Sequence, residues 1–241
     1  LGKIVNIGHG TISKGWFFTN KKISRRENCA DLICVPGEIH KQKLSNQVYK
    51  RIAVTGMPKM DSIHTSKKDR SVILKEMNLS VSNKTLLFAP TFNQELSIVP
   101  HIGFNLRKFI PDYINIIVKL HGVAPVQWKQ QYREFADRSN NVYYSEGNDI
   151  TECYIASDII LSDVSSVVYE FASLHKPVIV FDSPTQKQYV NYDPDDLEYA
   201  YRDVGIRINN VESLQEAVFR GLINPVSEMS KSIAGQFISH N

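Results

Sequence analysis

Short apolar runs rich in β-branched residues alternate along this chain with longer stretches of helical periodicity. The first three runs occupy residues 3–7, 31–35 and 51–55, and each ends at a glycine or a Pro-Gly pair. Strands of a parallel sheet are buried on both faces and are joined by crossover helices, so they show this interrupted apolar pattern. The alternation therefore predicts an α/β chain built on parallel sheets.

A second series of six runs follows a polar, charged stretch at 61–84. The predicted strands are 85–91, 114–121, 141–146, 158–163, 177–182 and 205–208, and helical patterns lie at 37–50, 72–79, 101–111, 126–138, 166–175 and 211–222. Six strands complete a doubly wound sheet, whereas three do not. We therefore expect the C-terminal part of an incomplete Rossmann-like domain at 1–60, a connection at 61–84 and a complete Rossmann-like domain at 85–241.

The composition and net charge limit the kinds of partner that this chain can bind. The chain has 241 residues, of which 42% are hydrophobic and 22% charged, and its formal net charge is +3. These values are typical of a soluble globular protein, and the charge is too small for a nucleic-acid footprint. The basic run at 21–26 (KKISRR) reads either as a solvated face or as a contact with an anionic membrane surface.

The cysteines indicate a reducing compartment. Cys29, Cys34 and Cys153 form neither a CxxC pair nor a Cys/His spacing suited to zinc. No segment reaches the roughly 18 apolar residues that a membrane-spanning helix needs, and no signal peptide is visible. We expect a cytoplasmic protein without metal or cofactor, with peripheral contact at the inner face of the cell membrane as the open alternative.

A histidine flanked by two glycines follows the first apolar run. Gly8 and Gly10 leave room for a backbone turn and for a bulky group close to the imidazole of His9. This is a suitable place for a group that handles protons, although one histidine between glycines is not a signature by itself.

The segment 156–184 carries the clearest ligand signal. A buried strand runs into the turn Ser162-Asp163-Val164-Ser165-Ser166, and a helix follows. Ligands of open α/β sheets bind at the carboxyl ends of strands. The hydroxyls of Ser165 and Ser166 and the free N–H groups of the helix start could therefore hold a phosphate. The alternative is that Ser165 is only the N-cap of the helix.

Two further strand ends carry polar residues. Lys119 and His121 lie at the end of one predicted strand and are candidate ligand contacts, although the histidine could instead be a core residue bonded to a backbone carbonyl. Thr91 lies at the end of another predicted strand, where it could cap or contact a ligand or instead belong to an ordinary loop. Neither GxGxxG nor GxxxxGK[ST] nor GxSxG occurs, which argues against a dinucleotide site, a P-loop kinase and an α/β-hydrolase.

Taken in order, these segments resemble a known family. The ordered set is His9-Gly10-Thr11 with Lys14, then ADLICVPGEIHKQ, TGMPKMD, FAPTF, KLHG, SDIILSDVSS and KPVIVF. It is similar to that of the CDP-glycerol glycerophosphotransferases, the teichoic-acid polymerases and primases with a GT-B-type fold of two Rossmann-type domains. The resemblance extends from residue 3 to about residue 223.

The resemblance implies a transfer reaction in cell-wall, teichoic-acid or capsule-type polymer synthesis. A CDP-glycerol or related CDP-alditol donor would lie along the strand ends of the second domain, with its pyrophosphate on Ser165 and Ser166. His9 would be the general base for a hydroxyl of a lipid-linked or polymer acceptor. That oxygen would attack the phosphorus next to the alditol, and CMP would leave with His121 protonating it or neutralising its charge.

The resemblance also implies further donor-binding residues. Lys14 and Lys119 are candidate phosphate partners that could instead only cover the surface, and Asp163 and Thr91 line the same strand ends. Glu170 could reach a ribose hydroxyl, although a carboxylate in the first turn is also favoured by the helix dipole alone.

Two rival functions remain at this stage. A GT-B sugar-nucleotide glycosyltransferase or a UDP-N-acetylglucosamine 2-epimerase would share the strand-turn-helix donor site. A non-catalytic nucleotide-binding fragment belongs to a different class, and the expected incompleteness of the first domain favours that interpretation.

Overall fold

Two parallel sheets lie one after the other along the chain in the computed structural model, which describes residues 2–8, 10–14 and 27–239. The first sheet, within these residues, consists of β1 (Val5–Asn6), β2 (Leu32–Val35) and β3 (Arg51–Val54) in that order. The second consists of β4 (Lys84–Phe88), β5 (Ile114–Val118), β6 (Val142–Tyr144), β7 (Ile159–Ser162), β8 (Val178–Phe181) and β9 (Ile206–Ile208). Every strand pair in both sheets is parallel, which confirms the predicted α/β class.

The second sheet has the spatial order β6-β5-β4-β7-β8-β9. This is the strand order of a dinucleotide-type Rossmann sheet, in which the direction of winding reverses between the first and fourth strands. The reversal here falls between β4 and β7. It opens a crevice at their carboxyl ends, the place where ligands of such sheets bind.

Helices connect the strands on both faces. Their bounds are α1 (Glu38–Ser45), α2 (Pro58–Thr65), α3 (Arg70–Glu76), α4 (Val99–Ile102), α5 (Val126–Asp137), α6 (Thr151–Ala156), α7 (Val167–Ala172), α8 (Leu197–Ala200), α9 (Leu214–Ile223) and α10 (Glu228–Phe237). The prediction of one helix over 101–111 is wrong. Gly103 adopts a φ of 68° directly after α4, and the chain continues in a short 3-10 turn at Leu106–Lys108.

The side-chain alternation along β4 divides the core into two layers. Leu86 and Phe88 pack in one cluster with Trp128 of α5 and Val218 of α9. Leu87 faces the opposite side and belongs to a cluster that continues to Ile33 of the first sheet. Both sheets therefore share one continuous apolar layer.

The C-terminal helix α10 joins the two sheets. Phe237 stacks on Tyr169 of α7 with ring centroids 3.8 Å apart and lies edge-on to His40 of α1 at 5.4 Å. Beyond the helix, the N–H of Ser239 donates to the carbonyl of Pro36 at 2.9 Å. No helix in the described part of the chain is both long and apolar enough to cross a bilayer.

The contact between α10 and Gly37 yields a stability prediction. A Cβ at Gly37 would lie 2.1 Å from the carbonyl oxygen of Gln236, closer than real Cβ contacts allow. We expect Gly37→Ala to lower the free energy of unfolding by about 2–3 kcal/mol, measured by urea unfolding, because backbone must move to admit the methyl group.

Gly235→Ala is the matched control, since a Cβ there meets nothing within 4 Å. It should be neutral or stabilise the protein by up to about 1 kcal/mol, because alanine favours a helix interior over glycine. Equal effects of the two substitutions would mean that α10 does not lie against residue 37.

Candidate functional site

The floor of the crevice is tied together by Asp163, which follows β7. Its side chain has no exposed surface, and its two oxygens accept the N–H of Thr91 at 2.8 Å and of Ile98 at 3.0 Å. Burial raises the pKa of this carboxyl to about 6, against the opposing effect of those N–H groups and of Lys14 and Arg202. Asp163 thus joins the loop after β4 to the end of β7, and the protein itself occupies both of its oxygens.

The turn Ser165-Ser166 lies half-buried at the start of α7. The carbonyl of Ser165 accepts the N–H of Val168, and that of Ser166 accepts the N–H of Tyr169 and Glu170. Among the described residues, nothing accepts the N–H groups of Ser166 and Val167, which are the unpaired donors expected at a helix start. The turn therefore presents the donors that an anion needs.

The loop after β1 lies against this turn. A Cβ at Gly10 would lie 3.0 Å from the hydroxyl oxygen of Ser166, and the hydroxyl of Thr11 donates to the carbonyl of Ser166 at 3.3 Å. Gly8 has a φ of +71°, in the left-handed region that favours glycine. His9 lies outside the described residues, but Gly10, which follows it, directly adjoins the serine turn.

His40 is a residue of this site that sequence reasoning missed. Its Nε2–H donates to the carbonyl of Thr11 at 2.8 Å, and the side chain is fully buried. Burial lowers its pKa to about 4, so the ring is neutral in the folded protein near pH 7. The sequence contains His40 in the segment PGEIHKQ, but nothing local indicates its contact with a loop 29 residues away.

Four side chains form a cationic cluster at the ends of β4 and β5: Lys14, Thr91, Phe92 and His121. The ammonium of Lys14 donates to the hydroxyl of Thr91 at 2.5 Å and lies 4.5 Å from the ring centroid of Phe92. The rings of Phe92 and His121 are 4.9 Å apart. Burial lowers the pKa of Lys14, while Asp163 and Glu198 act in the opposite direction.

His121 is exposed, so it is not a core histidine. Its Nδ1 accepts the N–H of Val123 at 3.2 Å. The neutral ring therefore carries its proton on Nε2, because the nitrogen that accepts a hydrogen bond cannot hold the proton.

Lys119 faces protein oxygens. Its ammonium donates to the hydroxyl of Ser145 at 3.2 Å and to the carbonyls of Glu146 at 2.9 Å and Gly147 at 3.1 Å. These three bonds use all the donors of an ammonium group. Lys119 therefore supports the end of β6, and its predicted contact with a phosphate would require it to give up a protein partner.

Glu170 is also engaged by the protein. Its Oε2 accepts the ammonium of Lys59 at 2.7 Å and the hydroxyl of Tyr154 at 2.6 Å, and the side chain is buried. Lys59 lies in the first turn of α2, within the segment TGMPKMD, so this ion pair connects α2 to α7. Lys59 is a second residue that sequence reasoning missed.

Two buried ionisable side chains, Arg202 and Glu198, lie beneath the crevice. Arg202 donates to the carbonyls of Phe181 at 2.6 Å and Asp163 at 3.3 Å and pairs with Asp182. Glu198 lies beside the main chain of Lys14, and burial raises its pKa to about 7. The ends of β7 and β8 are thus held by side chains that the apolar pattern of the sequence does not reveal.

The pKa of His40 generates a pH prediction. The unfolded chain binds a proton at this position below about pH 6.5, whereas the folded protein excludes it until about pH 4. Acidification through this window therefore removes stability. Relative to His40→Gln, which keeps an N–H donor but does not titrate, the wild-type free energy of unfolding should fall by up to about 3 kcal/mol between pH 7 and pH 4.

Urea unfolding at several pH values measures this difference. The same substitution at the exposed His64 of α2 is the control and should leave the pH dependence as in the wild type. A constant difference between wild type and His40→Gln would mean that His40 takes up a proton in the folded state.

Comparison with known proteins identifies the family to which this chain belongs. Residues 5–228 match the family model described as CDP-Glycerol:Poly(glycerophosphate) glycerophosphotransferase. The chain is 26% identical over 147 residues to the teichoic acid poly(glycerol phosphate) polymerase of Bacillus spizizenii, covering 56% of this chain and 36% of that protein. It is 25% identical over 142 residues to the teichoic acid glycerol-phosphate transferase of Staphylococcus aureus, covering 54% and 35%. The chain thus spans about a third of the length of these relatives.

Solved structures agree on the fold. The wall teichoic acid polymerase TagF superposes with a TM-score of 0.72 at 18% identity, covering 98% of this chain and 64% of that chain. A structure described as a putative UDP-N-acetylglucosamine 2-epimerase from Listeria monocytogenes superposes with a TM-score of 0.62 at 16% identity, covering 97% and 62%. The family model, which matches nearly the whole chain, separates the two: this protein belongs to the CDP-glycerol:poly(glycerophosphate) glycerophosphotransferase family.

Proposed function

We propose that this protein transfers a glycerol phosphate or related alditol phosphate unit from a CDP-alditol to a hydroxyl of a growing polymer. The observation that carries the proposal is the approach of the Gly10-Thr11 loop to the Ser165-Ser166 turn at the switch point of the second sheet. An anion on that turn would lie beside the loop that carries His9.

The pyrophosphate of the donor binds at the serine turn. The N–H groups of Ser166 and Val167 and the two hydroxyls donate to its oxygens, and the positive end of α7 favours the negative charge. Lys14 of the cationic cluster supplies further positive charge, and His121 supplies its Nε2–H as a further donor. Asp163, Thr91 and Lys119 act through position, because their polar atoms already hold the strand ends.

The transfer step needs one base and one leaving-group partner. His9 takes the proton of the acceptor hydroxyl while that oxygen attacks the phosphorus next to the glycerol. The bond from this phosphorus to the bridging oxygen breaks, and the oxygen leaves as part of CMP. His121 donates a proton to the departing phosphate or, as imidazolium, offsets its charge.

Glu170 binds the ribose of the donor in this proposal. Tyr154 and Lys59 contact one carboxylate oxygen, Oε2, which leaves Oε1 for a ribose hydroxyl. The Lys59–Glu170 pair then fixes the orientation of the carboxylate before the donor arrives.

The acceptor in this proposal is a lipid-linked polymer, and the protein acts in the cytoplasm at the inner face of the membrane. The basic run at 21–26 would supply the contact with anionic lipid, since each Lys or Arg near such a surface contributes roughly 1 kcal/mol. This run lies outside the described residues.

The nucleotide that is released tests the reaction class. The protein incubated with CDP-glycerol and a glycerol phosphate-primed acceptor should release CMP and elongate the acceptor. UDP-N-acetylglucosamine under the same conditions should yield neither UDP nor an epimer. Release of UDP, or binding of cytidine nucleotide without any turnover, would replace the proposal by one of its rivals.

His9→Ala tests the base. We expect kcat to fall by about 10²–10⁴-fold because the acceptor hydroxyl loses its proton acceptor. The Kd for CDP-glycerol, measured by calorimetry, should change by less than about threefold, since the donor binds at the serine turn. His64→Ala on the exposed face of α2 is the matched histidine control. A parallel loss of binding and turnover in His9→Ala would assign His9 to donor binding.

A further inference from the structure

Phe92 connects a lysine and a histidine that follow strands of different sheets. Lys14 follows β1 in the first sheet, and His121 follows β5 in the second. The ammonium of Lys14 lies 4.5 Å from the centroid of the Phe92 ring, and the imidazole of His121 lies 4.9 Å from it at an interplanar angle of 45°. Both side chains therefore contact one aromatic ring.

The packing of Phe92 on the core and the bonds of the preceding residue fix the position of its ring. Phe92 is half-buried and packs against the apolar cluster of the second sheet. The preceding residue, Thr91, is bonded through its N–H to Asp163 and through its hydroxyl to Lys14. The ring is thus attached to the most constrained part of the crevice floor.

An aromatic ring suits this position for an electrostatic reason. The face of an aromatic ring is negative, so it attracts a cation without offering a hydrogen-bond acceptor that would compete with the ligand. A leucine at this position would fill part of the space but provide no such attraction.

We propose that Phe92 is a positioning residue that holds Lys14 and His121 at the separation needed to bind the pyrophosphate of the donor. The inference rests on the proposed function and adds to it a residue that touches neither donor nor acceptor. It predicts that the contribution of Phe92 depends on the presence of both Lys14 and His121.

A double-mutant cycle tests this dependence. Phe92→Leu should weaken binding of CDP-glycerol by about tenfold, the effect of losing a partly desolvated cation–π contact. Phe92→Tyr keeps the ring and should recover most of that affinity. In the Lys14→Gln or His121→Gln background, Phe92→Leu should weaken binding by less than about threefold, because one of the two side chains whose separation Phe92 sets has already been removed.

Phe109→Leu is the matched control for loss of an aromatic side chain. Phe109 is also half-buried against the same apolar cluster, but it precedes β5, at the end of the strand opposite to His121. This control should leave the Kd for CDP-glycerol and kcat unchanged. Unfolding midpoints of all variants verify that each protein is folded.

The outcomes separate this inference from the proposed function. Normal wild-type turnover, with the same effect of Phe92→Leu in all three backgrounds, would overturn the inference alone and leave Phe92 as a packing residue. Absence of both binding and turnover of CDP-glycerol in the wild type would overturn the proposed function and, with it, this inference. An equal defect in Phe92→Tyr and Phe92→Leu would also overturn it.

Discussion

The geometry of the crevice depends on one buried carboxylate. Asp163 accepts backbone N–H groups from Thr91 and Ile98, and its own carbonyl accepts the guanidinium of Arg202. A carboxylate without exposed surface is costly unless such donors surround it, and the two N–H donors belong to the loop after β4, far from Asp163 in the sequence. Because Asp163 is buried and bonded in this way, its side chain connects the loop after β4 to the start of α7.

Several of the polar contacts that connect the two sheets involve the proposed site. His40 holds the carbonyl of Thr11, whose hydroxyl reaches Ser166, and Lys59 pairs with Glu170. The shared apolar layer supplies the affinity between the sheets, whereas these directional bonds set their register. Placement of the loop around His9 is therefore a property of both sheets together.

The sequence predicts the strands well because burial on both faces leaves a local signature. The apolar run at 85–91 overlaps β4, the run at 158–163 contains β7, and the serine turn follows β7 directly. Contacts between side chains that are far apart in the sequence leave no such local signature. Lys119 directly follows β5, but its ammonium contacts the oxygens of residues 145–147. Glu170 contacts Lys59 and Tyr154.

The lack of a local signature also explains why the sequence does not reveal His40 as a site residue or predict helix α10. The helical pattern of α1 includes His40 as an ordinary position, and only the folded chain brings it to Thr11. Helix α10 was not predicted, because its packing on α1 and α7 involves residues from both sheets. Positions at the strand ends can be inferred from the order of the strands, but the atoms that each side chain contacts depend on the whole fold.

The close approach of Gly37 to the backbone at Gln236 and Phe237 has an evolutionary consequence. A larger residue at position 37 forces α10 away from α1, and any such movement separates Phe237 from both His40 and Tyr169. Substitutions at residues 37 and 237 are therefore not independent. Lineages that lose the glycine should also alter the aromatic residue, so the two positions should covary among relatives even though most of the sequence lies between them.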